Sequence, residues 1–172
     1  IFEVYKVEEK KKEGKEGLSY VAKTLVDEIK LSSNHTIDAL SEKVATLTQL
    51  HHGAIARFAG LSLTNFESES KPTFIEEYSL NGSLEKVIEF GKRSIPIPEW
   101  DETKKLVNLY VIASALSFLH SHDIVHGHLT AGNVLLNQYL APEVSDSFLL
   151  TLYHFLLGNN TDVPFNIREN SS

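Results

Sequence analysis

The apolar residues change their period along the chain, and each change marks an element. Residues 1–7 mix large apolar side chains (Phe2, Val4, Val7) with polar ones, as a half-buried strand does. Leu18 to Leu25 reads as a second strand, so residues 1–25 predict a hairpin around a lysine- and glutamate-rich turn from Glu8 to Gly17. Ile37, Leu40, Val44, Leu47 and Leu50 then recur at three and four residues, which is helical spacing. Ser32, Ser33 and Asn34 offer the N-cap and Gly53 the stop. Short apolar runs at 55–63 and 73–78 predict two more strands. Asn81-Gly82 signals a turn, Ser83 caps a short helix reaching Phe90, and Pro96 and Pro98 make 91–100 a loop. Asp101 caps the longest helix, whose predicted core stripe is Leu106, Leu109, Tyr110, Ala113, Leu116, Phe118 and Leu119. A loop rich in His and Gly (126–133), a strand (134–136), another turn and an apolar helix (149–157) follow.

Strands, one helix, more strands and then mostly helix describe an α+β protein with a small sheet-rich lobe and a helical lobe. The lobes would span 1–78 and 79–158, with a hinge near 77–82 and a polar tail over 159–172. Composition narrows the partners. Net charge is −7 and the charges are interspersed, which argues against nucleic acid and anionic membrane surfaces. No apolar run approaches the length of a membrane helix, and no signal peptide is expected. The chain has no cysteine, so disulfides and thiolate metal sites are excluded. It also has no methionine and opens directly in a strand, so we expect it to be part of a longer chain or a gene fragment.

Several segments, in order, resemble the eukaryotic protein kinase domain. Phe2-Glu3-Val4-Tyr5-Lys6 is similar to the strand after the glycine-rich loop, and Val21-Ala22-Lys23 to the strand carrying the ATP-anchoring lysine. Leu50 to Ile55 resembles the turn after the first large helix. Phe74-Ile75-Glu76-Glu77-Tyr78 with Asn81-Gly82-Ser83-Leu84 resembles the hinge. Leu119 to His122 and Ile124 to Asn133 resemble the catalytic loop and the residues before it. The Asn-Gly-Ser-Leu run and Pro98-Glu99-Trp100 are most similar to the tyrosine-kinase-like group of serine/threonine kinases. Asp146 follows Asn133 by 13 residues, the family's spacing from the catalytic-loop asparagine to the metal-binding aspartate, which places Asp146-Ser147-Phe148 at the "DFG" position. A rival alignment takes Ala141-Pro142-Glu143 as the motif that ends the activation segment. Under either alignment most of the activation segment and the last helices of the large lobe are expected to be missing.

The resemblance implies a bilobal kinase-like fold with a truncated helical lobe, and it locates the chemistry. Phosphoryl transfer needs charge neutralisation and positioning. Val4, Val21, Lys23, Glu76, Glu77, Tyr78 and Leu135 fall on nucleotide-facing positions, and Asn133 and Asp146 on magnesium positions. His128, however, stands where the catalytic aspartate belongs, and a neutral or cationic imidazole cannot reproduce an anion beside magnesium. Thr130 replaces the catalytic-loop lysine, Gly127 the neighbouring arginine, and Phe2 a loop glycine. Lys43 occupies the helix glutamate's place, and Glu42 beside it points about 100° away around the helix. Glu76 falls at the gatekeeper position, where a buried carboxylate needs a cation; Lys23 is the expected partner.

His120, His122, His126 and His128 could be read as a metal cluster, but the resemblance accounts for three of them, and His126 is expected to be structural. Asn133 could equally cap its loop through the backbone. The expected function is that of a pseudokinase, a scaffold or allosteric partner of another protein in the cytoplasm, with weak ATP and magnesium binding. The alternatives are a weakly active serine/threonine kinase and a gene remnant without function.

Overall fold

The computed structural model describes residues 2–8, 18–31 and 34–158. The turn over 9–17, the capping serines 32 and 33 and the polar tail lie outside them. The described residues form an α+β protein of two compact units. The first holds residues 2–50, 58–78 and 149–158; the second holds 51–57 and 79–148. The grouping changes between Tyr78 and Ser79, with 51–57 in the second unit and the last helix in the first.

The first unit is built on a four-stranded antiparallel sheet of order β1-β2-β4-β3, from β1 (Phe2–Glu8), β2 (Ser19–Leu25), β3 (Phe58–Ser62) and β4 (Thr73–Glu77). β1 is an edge strand whose Val4 and Tyr5 are exposed, and Glu3, Lys6 and Glu8 give it the charge that discourages pairing with another chain. β2 is interior: Ala22, Thr24 and Leu25 are buried, and Thr24 and Thr73, opposite each other, share a 2.9 Å hydroxyl hydrogen bond. β3 carries a bulge between Phe58 and Gly60, where Gly60 takes φ 154°. Helix α1 (Asn34–Thr48) buries Leu40 and Leu47 and packs on β3. It ends five residues before Gly53: backbone bonds from Gln49 to Thr46 and from Leu50 to Leu47 tighten its last turn, so no glycine is needed at the stop. Helix α4 (Leu149–Leu156) buries Leu149, Leu152 and Leu156 and packs on α1.

In the second unit, β5 (Val134–Leu136) and β6 (Pro142–Val144) pair as a short antiparallel hairpin in which Val134 faces Val144 and Leu136 faces Pro142. β6 replaces the turn expected there; three residues that include a proline give no periodic signal. The segment 51–57 is pinned to β6 by bonds between Ala56 N–H and Val144 O (3.0 Å) and between Val144 N–H and Ala54 O (2.8 Å). Helix α2 (Leu84–Lys92) starts at Ser83, whose side chain makes no capping bond; its backbone bridges to Leu135 instead. Helix α3 (Glu102–Ser121) is capped as predicted, with the Asp101 carboxylate accepting from Lys104 N–H at 2.7 Å.

The buried face of α3 corrects the predicted stripe. Leu106, Leu109 and Tyr110 are 69%, 64% and 76% exposed, whereas Asn108, Ile112, Ala115 and Leu119 are buried. The helix is apolar on nearly every side, so period alone could not choose a face; contact with β6 chooses it. No helix among the described residues is long and apolar enough to cross a membrane.

Candidate functional site

The sheet register sets the charged centre of the first unit. Val21 lies opposite Glu76 and Lys23 opposite Phe74. Period-two alternation puts Lys23, Phe74 and Glu76 on one face, with Glu76 the diagonal neighbour of Lys23. Their side chains meet there: Lys23 Nζ donates to Glu76 Oε2 at 3.1 Å, with 14% and 7% of the two side chains exposed. The ion pair expected from the gatekeeper position is present. Val4 lies opposite Lys23 on β1, and Phe2 stacks edge-on against Phe74 at 5.8 Å. Glu77 lies opposite Tyr20, Tyr78 N–H donates to Ser19 O at 3.0 Å, and Lys6 Nζ sits 4.6 Å from the Tyr78 ring centroid. On α1, Lys43 is half-buried and Glu42 is exposed.

The second unit frames the loop 126–133. His126 is buried, donates from Nε2 to Ser145 O at 2.8 Å, and accepts the His128 N–H at Nδ1, 3.3 Å away. These two bonds fix its neutral tautomer. His128 O accepts from Asn133 Nδ2 at 2.8 Å, so the asparagine caps the loop, while Asn133 O accepts from Ser145 N–H at 2.9 Å. Gly127 takes φ +74°, which glycine adopts without strain. Asp146, just beyond the hairpin, takes φ +61°, an uncommon conformation for a residue with a Cβ. Half-buried Leu135 lies opposite Glu143. The Glu143 carboxylate accepts from Ser79 Oγ (2.6 Å) and Asn137 Nδ2 (3.2 Å), a tie with no motif or periodic signal behind it.

The chain is similar to known proteins over nearly all of this frame. A family model described as protein tyrosine and serine/threonine kinase matches residues 2–159. The chain belongs to the protein kinase family. A probable serine/threonine-protein kinase of Dictyostelium discoideum is 31% identical over 126 residues, covering 73% of this chain and 23% of the relative. Cysteine-rich receptor-like protein kinase 10 of Oryza sativa is 30% identical over 125 residues, 71% of this chain and 18% of its own length. Interleukin-1 receptor-associated kinase 1 of Bos taurus is 28% identical over 142 residues, 81% and 19%. The chain therefore spans about a fifth of the length of these kinases. Relatives of the interleukin-1 receptor-associated and Pelle-like types agree with the tyrosine-kinase-like grouping read from 81–84 and 98–100.

Kinase-family chemistry implies ATP and magnesium, and the two units fit these differently. In the second, the Asn133 amide and Asp146 carboxylate are oxygen donors of the kind a hard cation takes, although no group of three histidine or acidic side chains among the described residues has the geometry of a metal site. In the first, Lys23 already neutralises Glu76. A triphosphate taking the lysine would have to compete for it with this buried carboxylate, so the pair as it stands opposes ATP phosphates.

His126 makes one consequence measurable. Burial holds its imidazole below the ordinary histidine range, against the opposing pull of the Ser145 carbonyl and the Asp146 carboxylate. The unfolded chain binds a proton at this histidine below about pH 6.5 that the folded chain refuses, so the associated stability is complete above that value and is lost as pH falls below it. Urea midpoints should drop between about pH 7.5 and about pH 5.5. The drop should be shallower in His126→Gln, and an equal drop in both proteins would remove His126 as its source.

Proposed function

We propose that this protein is a catalytically impaired kinase-family domain, a pseudokinase, that acts by binding another protein, either a kinase or a kinase substrate. The observation that carries the reading is an intact loop frame around a missing base. The bonds from Asn133 to His128, from His126 to Ser145 and from Ser145 to Asn133 are all made, yet the residue they hold in the aspartate's place is a histidine. General-base catalysis is worth about 10²–10⁴ in rate, and an imidazole supplies no negative charge to a substrate hydroxyl beside a cation. The Lys23–Glu76 pair supports the same reading by opposing phosphate binding at the anchor lysine. The β5–β6 hairpin leading into Asp146 favours Asp146, over Ala141-Pro142-Glu143, as the motif aspartate. On this reading ATP binding is weak, with Asn133 and Asp146 supplying oxygen donors for magnesium.

A weakly active serine/threonine kinase is the second reading, favoured by the retention of Lys23, Asn133 and Asp146. Transfer of ³²P from ATP to a generic protein acceptor separates the two. The wild type should match an Asp146→Asn control. His128→Asp should gain little, because Thr130 and Glu76 remain. Transfer by the wild type above that control would overturn the pseudokinase reading.

A further inference from the structure

We propose that the face of the first unit's sheet opposite the Lys23–Glu76 pair, around Tyr5 and Phe66, docks an arginine-rich segment of a partner protein. The proposal rests on the protein-binding part of the proposed function and is independent of whether phosphate is transferred.

Strand alternation fixes the place. Val4 lies opposite Lys23, so Glu3 and Tyr5, one residue to either side, stand on the other face of the sheet. There Tyr5 meets Phe66, from the loop between β3 and β4, edge to face with ring centroids 5.8 Å apart. The two rings stay 43% and 65% exposed, an aromatic surface that the described residues leave uncovered. The loop fixes Phe66 in place. Asn65 Oδ1 accepts from the N–H groups of Glu67 and Glu69, and Asn65 N–H donates to Glu69 O. An anchor that is already ordered loses little entropy on binding.

Charge chooses the occupant. Glu3 accepts the Tyr5 hydroxyl at 2.7 Å, and Glu67 follows Phe66 in the chain. Both are exposed, and neither carboxylate is ion-paired among the described residues. The Lys71 ammonium also acts on Tyr5, but Glu69 binds it at 2.7 Å. An apolar partner covering the rings would take two unpaired carboxylates out of water, which is costly. A guanidinium avoids that cost, because it stacks on an aromatic face and its fork of N–H groups matches a carboxylate. The chain's net charge of −7 draws a basic segment toward it.

The test uses the full chain and a glycine-spaced peptide of three arginines, read in ¹⁵N-correlation spectra. We expect a saturable shift of the Phe66 and Glu67 amide signals. Those of Glu85 and Glu89, exposed carboxylates on α2, should stay still. Phe66→Ala should weaken binding about fivefold and leave the urea midpoint unchanged, since the ring is exposed. Glu3→Gln/Glu67→Gln should weaken it about tenfold at low salt and flatten its salt dependence. The same peptide with lysines should bind about threefold more weakly. Binding unchanged in Phe66→Ala, an equally strong lysine peptide, shifts spread equally to Glu85 and Glu89, or no saturable shift would each overturn the proposal. Phe66 shifts that track protein concentration without peptide would assign the face to self-association and overturn it as well.

Discussion

Lys23→Met should destabilise the protein by about 3 kcal/mol, because it removes the ammonium that a buried carboxylate holds at 3.1 Å. Glu76 is the charge left behind, with 7% of its side chain exposed. The urea midpoint should fall with an unchanged denaturant slope. Glu76→Met should also destabilise, though less, because a lysine's long stem can carry its ammonium toward solvent. The double variant Lys23→Met/Glu76→Met should return to within about 1 kcal/mol of the wild type, since an apolar pair of similar volume often replaces a buried ion pair at little cost. The coupling between the two sites is thus the signature, and it separates an ion pair from two independent packing losses. A Lys23→Met cost under about 0.5 kcal/mol would place the pair with solvent-screened surface bridges and remove the argument that it opposes phosphate binding.

That ion pair was legible before any coordinates because two kinds of information coincided. The resemblance placed Glu76 at the back of the nucleotide site, and antiparallel pairing requires that residues two apart share a face. A register slip of one residue would send Glu76 to the other side of the sheet, so the contact depends on the strand pairing as much as on the motif. The strands β1 to β4 and the helices α1 and α3 were legible for the same reason: each is long enough to show its period. What failed was short or symmetric. β6 has three residues and begins with a proline. Ser83 has the side chain of a cap but spends its backbone on a bridge to Leu135. The face of α3 could not be read because leucines and valines, with Ile112, surround it, and the residue that marks its inner face is the polar Asn108. The spacing from Asn108 to Ile112, Ala115 and Leu119 was available in the sequence, but a polar residue is not normally counted into a core stripe. The grouping of α4 with the first unit had no sequence signal either, since it follows from packing on α1 and not from chain order.

Phe148→Ala should cost about 3–5 kcal/mol, the range for deleting a buried aromatic side chain. Phe148 is 1% exposed and leads the largest fully buried side chains among the described residues. Its position gives the loss more than a packing meaning. On the proposed alignment of Asp146-Ser147-Phe148 with the family's motif, the aromatic residue comes one place later than the motif puts it, and the place before it holds a serine that is also buried, donating from Oγ to Val144 O at 3.1 Å. The small residue is thus absorbed by a local backbone bond, and the burial an aromatic supplies has moved to the next residue. Restoring the family order with the double change Ser147→Phe/Phe148→Gly should therefore not recover stability. It would put a large ring where the structure has room for a hydroxyl and leave a void where the ring now sits, two penalties that add. Phe148→Leu should cost about 1–1.5 kcal/mol, because it keeps most of the volume. Leu106→Ala on the exposed side of α3 should change stability by less than about 0.5 kcal/mol. If the double change proved as stable as the wild type, the displaced aromatic would be incidental. If it destabilised by more than Phe148→Ala alone, the Asp-Ser-Phe order would be a packing solution specific to this chain.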